Sequence, residues 1–365
     1  MMVVSKQYQI FFDFLRFCIG SESEIPSSLK EADWEELYAI AKKQCLVGVL
    51  FDGIKKLPAE QVGMKMGLLF QWIAKNRMLE KANVRLNDAA IQISEWFRKK
   101  GFRTCILKGQ GNALMYPNPY SRTPGDIDIW VEGGDKRVIS FVRSISPHEK
   151  ACYHHIEFPP YKGVEVEVHY RPSFLQCFWH NRKLQKYYDR VKEEQFSHRV
   201  MLGKQGEIAI PTAEFNLIFQ LTHIYAHLMN EGIGLRQLLD YYYVLISDDL
   251  LMIRDRVQKE LKKLGLWKFA GGIMYIMQEV FGMPASRLIV PPNEKYGKFV
   301  LNEVLEAGNF GKHDERNRFG RSKLGHNLQR VYRDIRLVRY FPAEALCEPL
   351  FRIWHFFWRK SVSIR

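Results

Sequence analysis

No Cys-x-x-Cys pair occurs in this chain: Cys18, Cys45, Cys105, Cys152, Cys177 and Cys347 stand far apart along 365 residues. That scatter argues against a disulfide framework and against a cysteine-based zinc site. No apolar run reaches the roughly 18–20 residues that a membrane-spanning helix requires. No early segment combines a basic end, an apolar stretch and a small-residue cleavage site, so a secretory leader is not expected and a cytoplasmic location is. Neither G-x-G-x-x-G nor G-x-x-x-x-G-K-[ST] is present, which leaves a dinucleotide-binding fold and a P-loop without support. Tandem repeats and low-complexity segments are missing as well.

What is present reads as an ordinary globular protein: 47% hydrophobic, 13% aromatic and 26% charged residues, with 25 Gly and 15 Pro. These values set aside disorder, collagen-like repeats and pure coiled coil. At roughly 100–200 residues per domain, the length suggests two or three domains. The net charge of +14 is unevenly placed: residues 312–365 carry thirteen basic against five acidic side chains. Such a surplus favours anionic partners without choosing among nucleotide phosphates, nucleic acid and acidic lipid.

The first hundred residues read as helical. Phe11, Phe12, Phe14, Leu15 and Cys18 recur at helical spacing, and Ser27 or Ser28 can cap a second helix through Trp34, Leu37, Ile40 and Ala41. A long amphipathic pattern runs from about Gln61 to Lys100. The texture then changes to short strands at Phe102–Leu107, Asp126–Val131, Tyr153–Phe158 and Val164–His169, with helices at Gly109–Met115 and around Arg137–Ser144. Residues 181–211 read as mixed, with a hairpin near Gly203–Gly206. Helical stripes resume at Thr212–Met229, Leu235–Ile246, Leu250–Leu264 and Trp267–Phe281. The expected fold class is α+β: a small mixed β-sheet core over residues 101–210, an N-terminal helical region over 1–100, and a C-terminal helical region with a basic tail over 211–365.

The informative stretch is Gly125-Asp126-Ile127-Asp128-Ile129-Trp130-Val131. Alternate strand residues share a face, so Asp126 and Asp128 point one way, toward a cleft, while Ile127 and Ile129 bury against helices. Adjacent like charges destabilise a sheet unless offset, and a divalent cation is the obvious offset. The segment Val164-Glu165-Val166-Glu167-Val168-His169 alternates in the same way, with Glu165, Glu167 and His169 on one face and three valines on the other. Two such strands can converge four carboxylates on one spot, and hard oxygen donors select Mg²⁺ or Mn²⁺. Upstream, Leu107-Lys108-Gly109-Gln110-Gly111 runs from strand into helix. Glycine there allows a phosphate close approach to unpaired N–H groups, with Lys108 as a point charge and Arg122 as a bidentate clamp.

The combination of Leu107-Lys108-Gly109, Arg122, Gly125-Asp126-Ile127-Asp128-Ile129-Trp130-Val131 and Val166-Glu167-Val168-His169-Tyr170 resembles the bacterial uncharacterised nucleotidyltransferase family, within the DNA polymerase beta-like nucleotidyltransferase superfamily. The stretches His223–His227 and Leu235–Asp240 resemble that family's C-terminal block. The resemblance implies that Asp126, Asp128 and Glu167 hold Mg²⁺ (or Mn²⁺) and are catalytic. It further implies that Lys108, Gly109, Gln110, Arg122, His169, His223 and Arg236 contact a nucleoside triphosphate, whose NMP passes to the hydroxyl of an unidentified acceptor: a small molecule, a protein or RNA. Gln110 stands where the superfamily usually carries Ser or Gly, and the third acid is Glu rather than Asp, with Glu165 as competitor. A catalytically silent module of the same fold and a tRNA-directed transferase are the alternatives.

Other features are expected to be structural. His154 and His155 sit on the strand between the acidic ones, so only one of them can face the cleft. His223 and His227 share a helix face but lack the Glu of H-E-x-x-H, so they are expected to shape the nucleotide pocket with Arg236 and Asp240 rather than bind zinc. Tyr241–Tyr243 reads as core. The arginine stripe Arg330, Arg333, Arg336 reads as a solvated face, with contact to an anionic partner as the alternative. Leu350–Trp358, aromatic and basic, is expected to pack on the helical body rather than touch a membrane surface.

Overall fold

A computed structural model describes residues 5–363 apart from 59, 61, 205, 248, 315 and 317–322. Helix α1 (Lys6–Ile19) starts where the Ser5 hydroxyl accepts from the Tyr8 N–H and ends at left-handed Gly20. The next helix, α2 (Trp34–Lys43), is capped by Asp33, whose carboxylate accepts from the N–H groups of Glu35 and Glu36. The expected serine caps lie instead in a 3₁₀ turn over Ser27–Glu31, where the Ser28 hydroxyl donates to Asp13. Aspartate competes well for this position because its charge also meets the helix dipole. Helix α3 (Val47–Ile54) follows, then α4 (Met66–Lys99), 34 residues long.

The centre contains β1 (Thr104–Leu107), a short helix α5 (Gly109–Ala113), β2 (Ile127–Val131), α6 (Gly134–Ile145), β3 (His155–Tyr161) and β4 (Val164–His169). The sheet order is β1-β2-β4-β3, with β2 and β4 parallel and the other two pairings antiparallel. The mixed stretch resolves into a 20-residue helix, α7 (Phe178–Ser197), and a hairpin of β5 (Arg199–Leu202) and β6 (Gly206–Ala209). Its alternation of charged and aromatic side chains hides a helix with a narrow buried stripe of Leu184, Tyr187, Tyr188 and Phe196. Helices α8 (Ala213–Asn230), α9 (Leu235–Leu245), α10 (Leu250–Lys263), α11 (Trp267–Phe281), α12 (Glu294–Ala307), α13 (Lys323–Val338) and α14 (Pro342–Ser363) complete the chain. None of the described helices is long and apolar enough to cross a membrane.

Strand alternation divides the core as expected. Ile127, Ile129, Val166 and Val168 pack with Ala90, Ile93 and Phe97 of α4 and with Val138 and Val142 of α6. Cys105, Leu107 and Trp130, from the opposite face, join a larger core that runs through the N-terminal helices and through α8, α9 and α11. The acidic face of the sheet is thereby turned toward the C-terminal helices. Tyr241, Tyr242 and Tyr243 are buried, and all six cysteines are free thiols.

Candidate active site

Strand register sets the first contact. The parallel pairing of β2 with β4 places Asp128 beside Glu167 and Trp130 beside His169. On the other side of β2, Leu107 lies opposite Asp128, so the residue after it, Lys108, emerges next to that carboxylate. Lys108 Nζ lies 2.9 Å from Asp128 Oδ1, and His169 Nε2 lies 3.0 Å from the same oxygen. His169 Nε2 is also 3.3 Å from Glu167 Oε2. Asp128 is only 4% exposed. Burial alone would raise its pKa, but Lys108 and His169 outweigh this and hold the carboxyl well below the usual range. His169 is the mirror case. Burial disfavours its charge, yet its hydrogen bonds to Asp128 and Glu167 raise the pKa to about 9.

Asp126 sits one residue before β2 begins and is exposed, so the expected strand is one residue shorter. The Asp128 charge, then desolvation, pushes its carboxyl upward. Glu167, with a third of its side chain exposed, is held low by its hydrogen bond to His169 despite burial. Oxygens of Asp126, Asp128 and Glu167 all lie within 4.8 Å of one another. Glu165 is not in this group: it lines an adjoining surface depression with Arg85, Glu149 and Glu157, whose rim Asp126 and Glu167 share. Three carboxylates therefore converge rather than four: Glu165 stands one strand repeat before Glu167, the partner of Asp128 in the register, and so away from Asp128.

The glycine turn is present and strained. Lys108 has φ 52° and Gly109 φ 43°, left-handed values that glycine adopts freely and lysine does not. This twist aims the lysine ammonium at Asp128. Gly109 lines a narrow cleft with Lys108, Arg122, Asp126, Asp128, His223 and Arg236. Gln110 does not share that cleft: it is buried, and its amide donates to Asn87 Oδ1 on α4. Its side chain thus offers nothing to a phosphate. Arg122 is also committed elsewhere, donating from Nε and Nη2 to the two carboxylate oxygens of Asp240, each at 2.8 Å. The bidentate geometry expected for a phosphate is spent on tying α9 to the segment that leads into β2. Arg236, also from α9, donates to the Thr123 carbonyl at 2.9 Å. Both arginines therefore fix the backbone on which Asp126 and Asp128 stand.

A second, larger cavity of about 540 Å³ opens over the carboxylates. Both His154 and His155 face it, against expectation, because His154 lies just before β3 and escapes strand alternation. His155 Nδ1 is 3.4 Å from Glu167 Oε2. Burial and the nearby His169 charge push the His155 pKa down to about 4. His223 and His227 touch through their Nε2 atoms at 3.0 Å, and His223 lies 3.2 Å from Lys108 Nζ. Burial, then the Lys108 charge, keeps His223 neutral. The remaining wall includes Arg330, Glu348, Phe351 and Arg352 from α13 and α14. The sequence marked Arg330 and the Leu350–Trp358 segment but did not place them here, since nothing local sets a C-terminal helix over a strand two hundred residues earlier.

A solved structure described as an antigenic nucleotidyltransferase-like protein from Paracoccidioides brasiliensis matches with a TM-score of 0.28 and 15% identity, over 50% of this chain and 92% of the other. No curated protein matches. The family model described as "Uncharacterised nucleotidyltransferase" matches residues 30–282, a span that includes Lys108, the acidic triad and the arginine–aspartate pair. The chain therefore belongs to the uncharacterised nucleotidyltransferase family.

Proposed function

We propose that this protein is a metal-dependent nucleotidyltransferase that moves an NMP from a nucleoside triphosphate to an acceptor hydroxyl. The observation that carries the reading is the convergence of three carboxylates on one wall of a cavity, beside a strand-to-helix glycine turn. An all-oxygen donor set suits a hard divalent cation. The raised pKa of Asp126 marks negative charge that the protein's own cations leave unbalanced. Asp126, Asp128 and Glu167 would hold Mg²⁺ or Mn²⁺, which when bound supplies charge neutralisation for the phosphates and for the attacking oxygen.

The remaining work falls to the chain. Lys108 and the backbone N–H groups of Gly109 and Gln110 at the start of α5 bind the phosphate tail. Arg122 and Arg236 hold the loop before β2 in position. Glu167 accepts the proton of the acceptor hydroxyl as its oxygen bonds to the α-phosphorus and the bond to the β-phosphate oxygen breaks, releasing pyrophosphate. His169 orients Asp128 and Glu167 through Nε2. The reading is tested with Asp126→Asn and Asp128→Asn. Each variant should keep its circular dichroism spectrum and lose Mg²⁺-dependent turnover of labelled NTP in cell extract by at least about a hundredfold. Full activity in either variant removes the proposed metal role.

One observation favours a second reading. Lys108 and His169 already neutralise Asp128 internally, as expected of a binding module in which an ion pair has replaced the metal. Calorimetry with each NTP plus Mg²⁺ separates the two, since absence of heat at millimolar nucleotide favours the module.

A further inference from the structure

The C-terminal hairpin presents two unlike faces. Its inner face is built into the body. Glu344 Oε2 accepts from the backbone N–H groups of Gln176 and Cys177 at 2.6 and 3.2 Å. Arg336 pairs with Glu303, and Tyr153 packs edge-on against Phe351 and Trp354. Leu337, Phe341, Ala345 and Phe351 are buried. The hairpin is therefore held in place, not a loose tail.

Its outer face is apolar and exposed among the described residues. On α13, Leu328, Val331, Tyr332 and Ile335 repeat at i, i+3, i+4 and i+7 and are 42–66% exposed. On the neighbouring α14, Leu346, Leu350, Ile353 and Phe357 repeat at i, i+4, i+7 and i+11 and are 57–64% exposed. Trp354 borders that stripe. Helical periodicity of this quality marks a face selected to be covered, and a stripe on each of two packed helices exceeds the scattered apolar residues normal on a surface.

Charge identifies the cover. All three carboxylates of the hairpin, Asp334, Glu344 and Glu348, are buried. Exposed cations stand at the ends of the stripes: Arg339, four residues after Ile335, and Lys360, three residues after Phe357, its ammonium 4.6 Å from the Phe356 ring centroid. An apolar centre rimmed by cations, with aromatic rings at its margin and no outward carboxylate, is the pattern of a helix pair lying in the headgroup layer of an acidic bilayer. Pairing with a second copy would instead bring these cations together with no outward acid on the hairpin to receive them. Neither helix is long and apolar enough to span the bilayer, so the hairpin lies on it.

We propose that the outer face of the α13–α14 hairpin docks the protein onto an anionic lipid surface. This stands apart from the nucleotidyl-transfer reading, because no stripe residue belongs to the carboxylate site. Docking through the outer face would leave the cavity, which Arg330, Phe351 and Arg352 line, uncovered by lipid.

The test is co-sedimentation of the full chain with vesicles of phosphatidylcholine alone and of equal parts phosphatidylcholine and phosphatidylglycerol. The wild type should pellet with the mixed vesicles, and binding should weaken with salt. The triple variant Ile335→Ser, Ile353→Ser, Phe357→Ser should keep its fold, since these side chains are exposed, and bind at least about tenfold more weakly. Arg339→Glu with Lys360→Glu should abolish the preference for the acidic vesicles. No wild-type binding, or equal binding by the triple variant, overturns the proposal. A wild-type dimer in sedimentation equilibrium that the triple variant converts to a monomer, without vesicle binding, assigns the face to a second copy instead.

Discussion

Replacing Asp240 by asparagine strikes the contact that joins the helical half of the protein to the acidic strand. Asp240 and Arg122 are 118 residues apart in sequence and both almost fully buried, with two charge-assisted hydrogen bonds of 2.8 Å between them. Tyr116 adds a third bond, donating to Asp240 Oδ1 at 2.7 Å. Burial raises the Asp240 pKa, but the Arg122 charge outweighs it and keeps the carboxyl ionised. The asparagine is nearly isosteric, so packing survives while Arg122 is left charged and uncompensated. Removing one partner of such a pair costs about 3–5 kcal/mol. Because the total stability of a protein is only about 5–15 kcal/mol, that is a large share. At roughly 2 °C per kcal/mol for a large domain, Tm should fall by about 6–10 °C. Differential scanning calorimetry at neutral pH reads this directly. The double variant Arg122→Met, Asp240→Leu, which removes both charges, should recover most of the loss. A fall of less than about 2 °C in Asp240→Asn, or a double variant as unstable as the single, refutes the assignment of this pair as the buried clamp.

Three further outcomes follow from the geometry. Glu167→Gln should abolish nucleotidyl transfer, whereas Glu165→Gln, outside the carboxylate group, should leave it within about threefold in the same labelled-NTP assay. Gly48→Ala should destabilise by about 1–3 kcal/mol in urea unfolding, because a Cβ at Gly48 would collide with the Ser121 backbone carbonyl just before Arg122. Asp334 should make stability fall with pH: desolvation, then the facing Glu348, raises its pKa from 3.8 to about 7, with Arg352 and Arg333 opposing. The folded state thus keeps a proton that the unfolded chain releases, so stability declines as pH rises from about 4 to about 7 and is level above. Asp334→Asn should therefore be more stable than wild type at pH 8, by roughly 1–2 kcal/mol after discounting for solvent screening, and should lose that pH dependence in thermal melts.

Short-range patterns carried much of the fold. The four helices from α8 to α11 fall within two residues of their apolar stripes at every end, and Val164–His169 is β4 to the residue. Misreadings occurred where local signals competed. Ser27 and Ser28 are cap candidates before Trp34, but Asp33 takes the position because it also answers the helix dipole. Residues 178–197 bury so narrow a stripe that their charges masked the period. Leu350–Trp358 was read as packed because aromatic residues usually are, but only one side of that helix meets the body, so Phe351 is buried while Leu350, Ile353 and Phe357 are exposed. Arg333 and Arg336, read as solvated, instead reach Glu231 and Glu303.

The sequence by itself determined which side chains share a face: the Asp-Ile-Asp and Glu-Val-Glu-Val-His alternations separate acids from apolar residues at a period set by backbone geometry. Only the tertiary structure decided what those faces meet. The parallel register that sets Asp128 beside Glu167 depends on a crossover through α6 and β3. The strained Lys108 pairs with Asp128, Arg122 is consumed by Asp240, and Gln110 turns into the core. Periodicity is a property of neighbouring peptide units and is written locally. Partnership between residues a hundred positions apart arises from long-range packing, in which a buried charge takes the nearest counter-charge the fold brings to it.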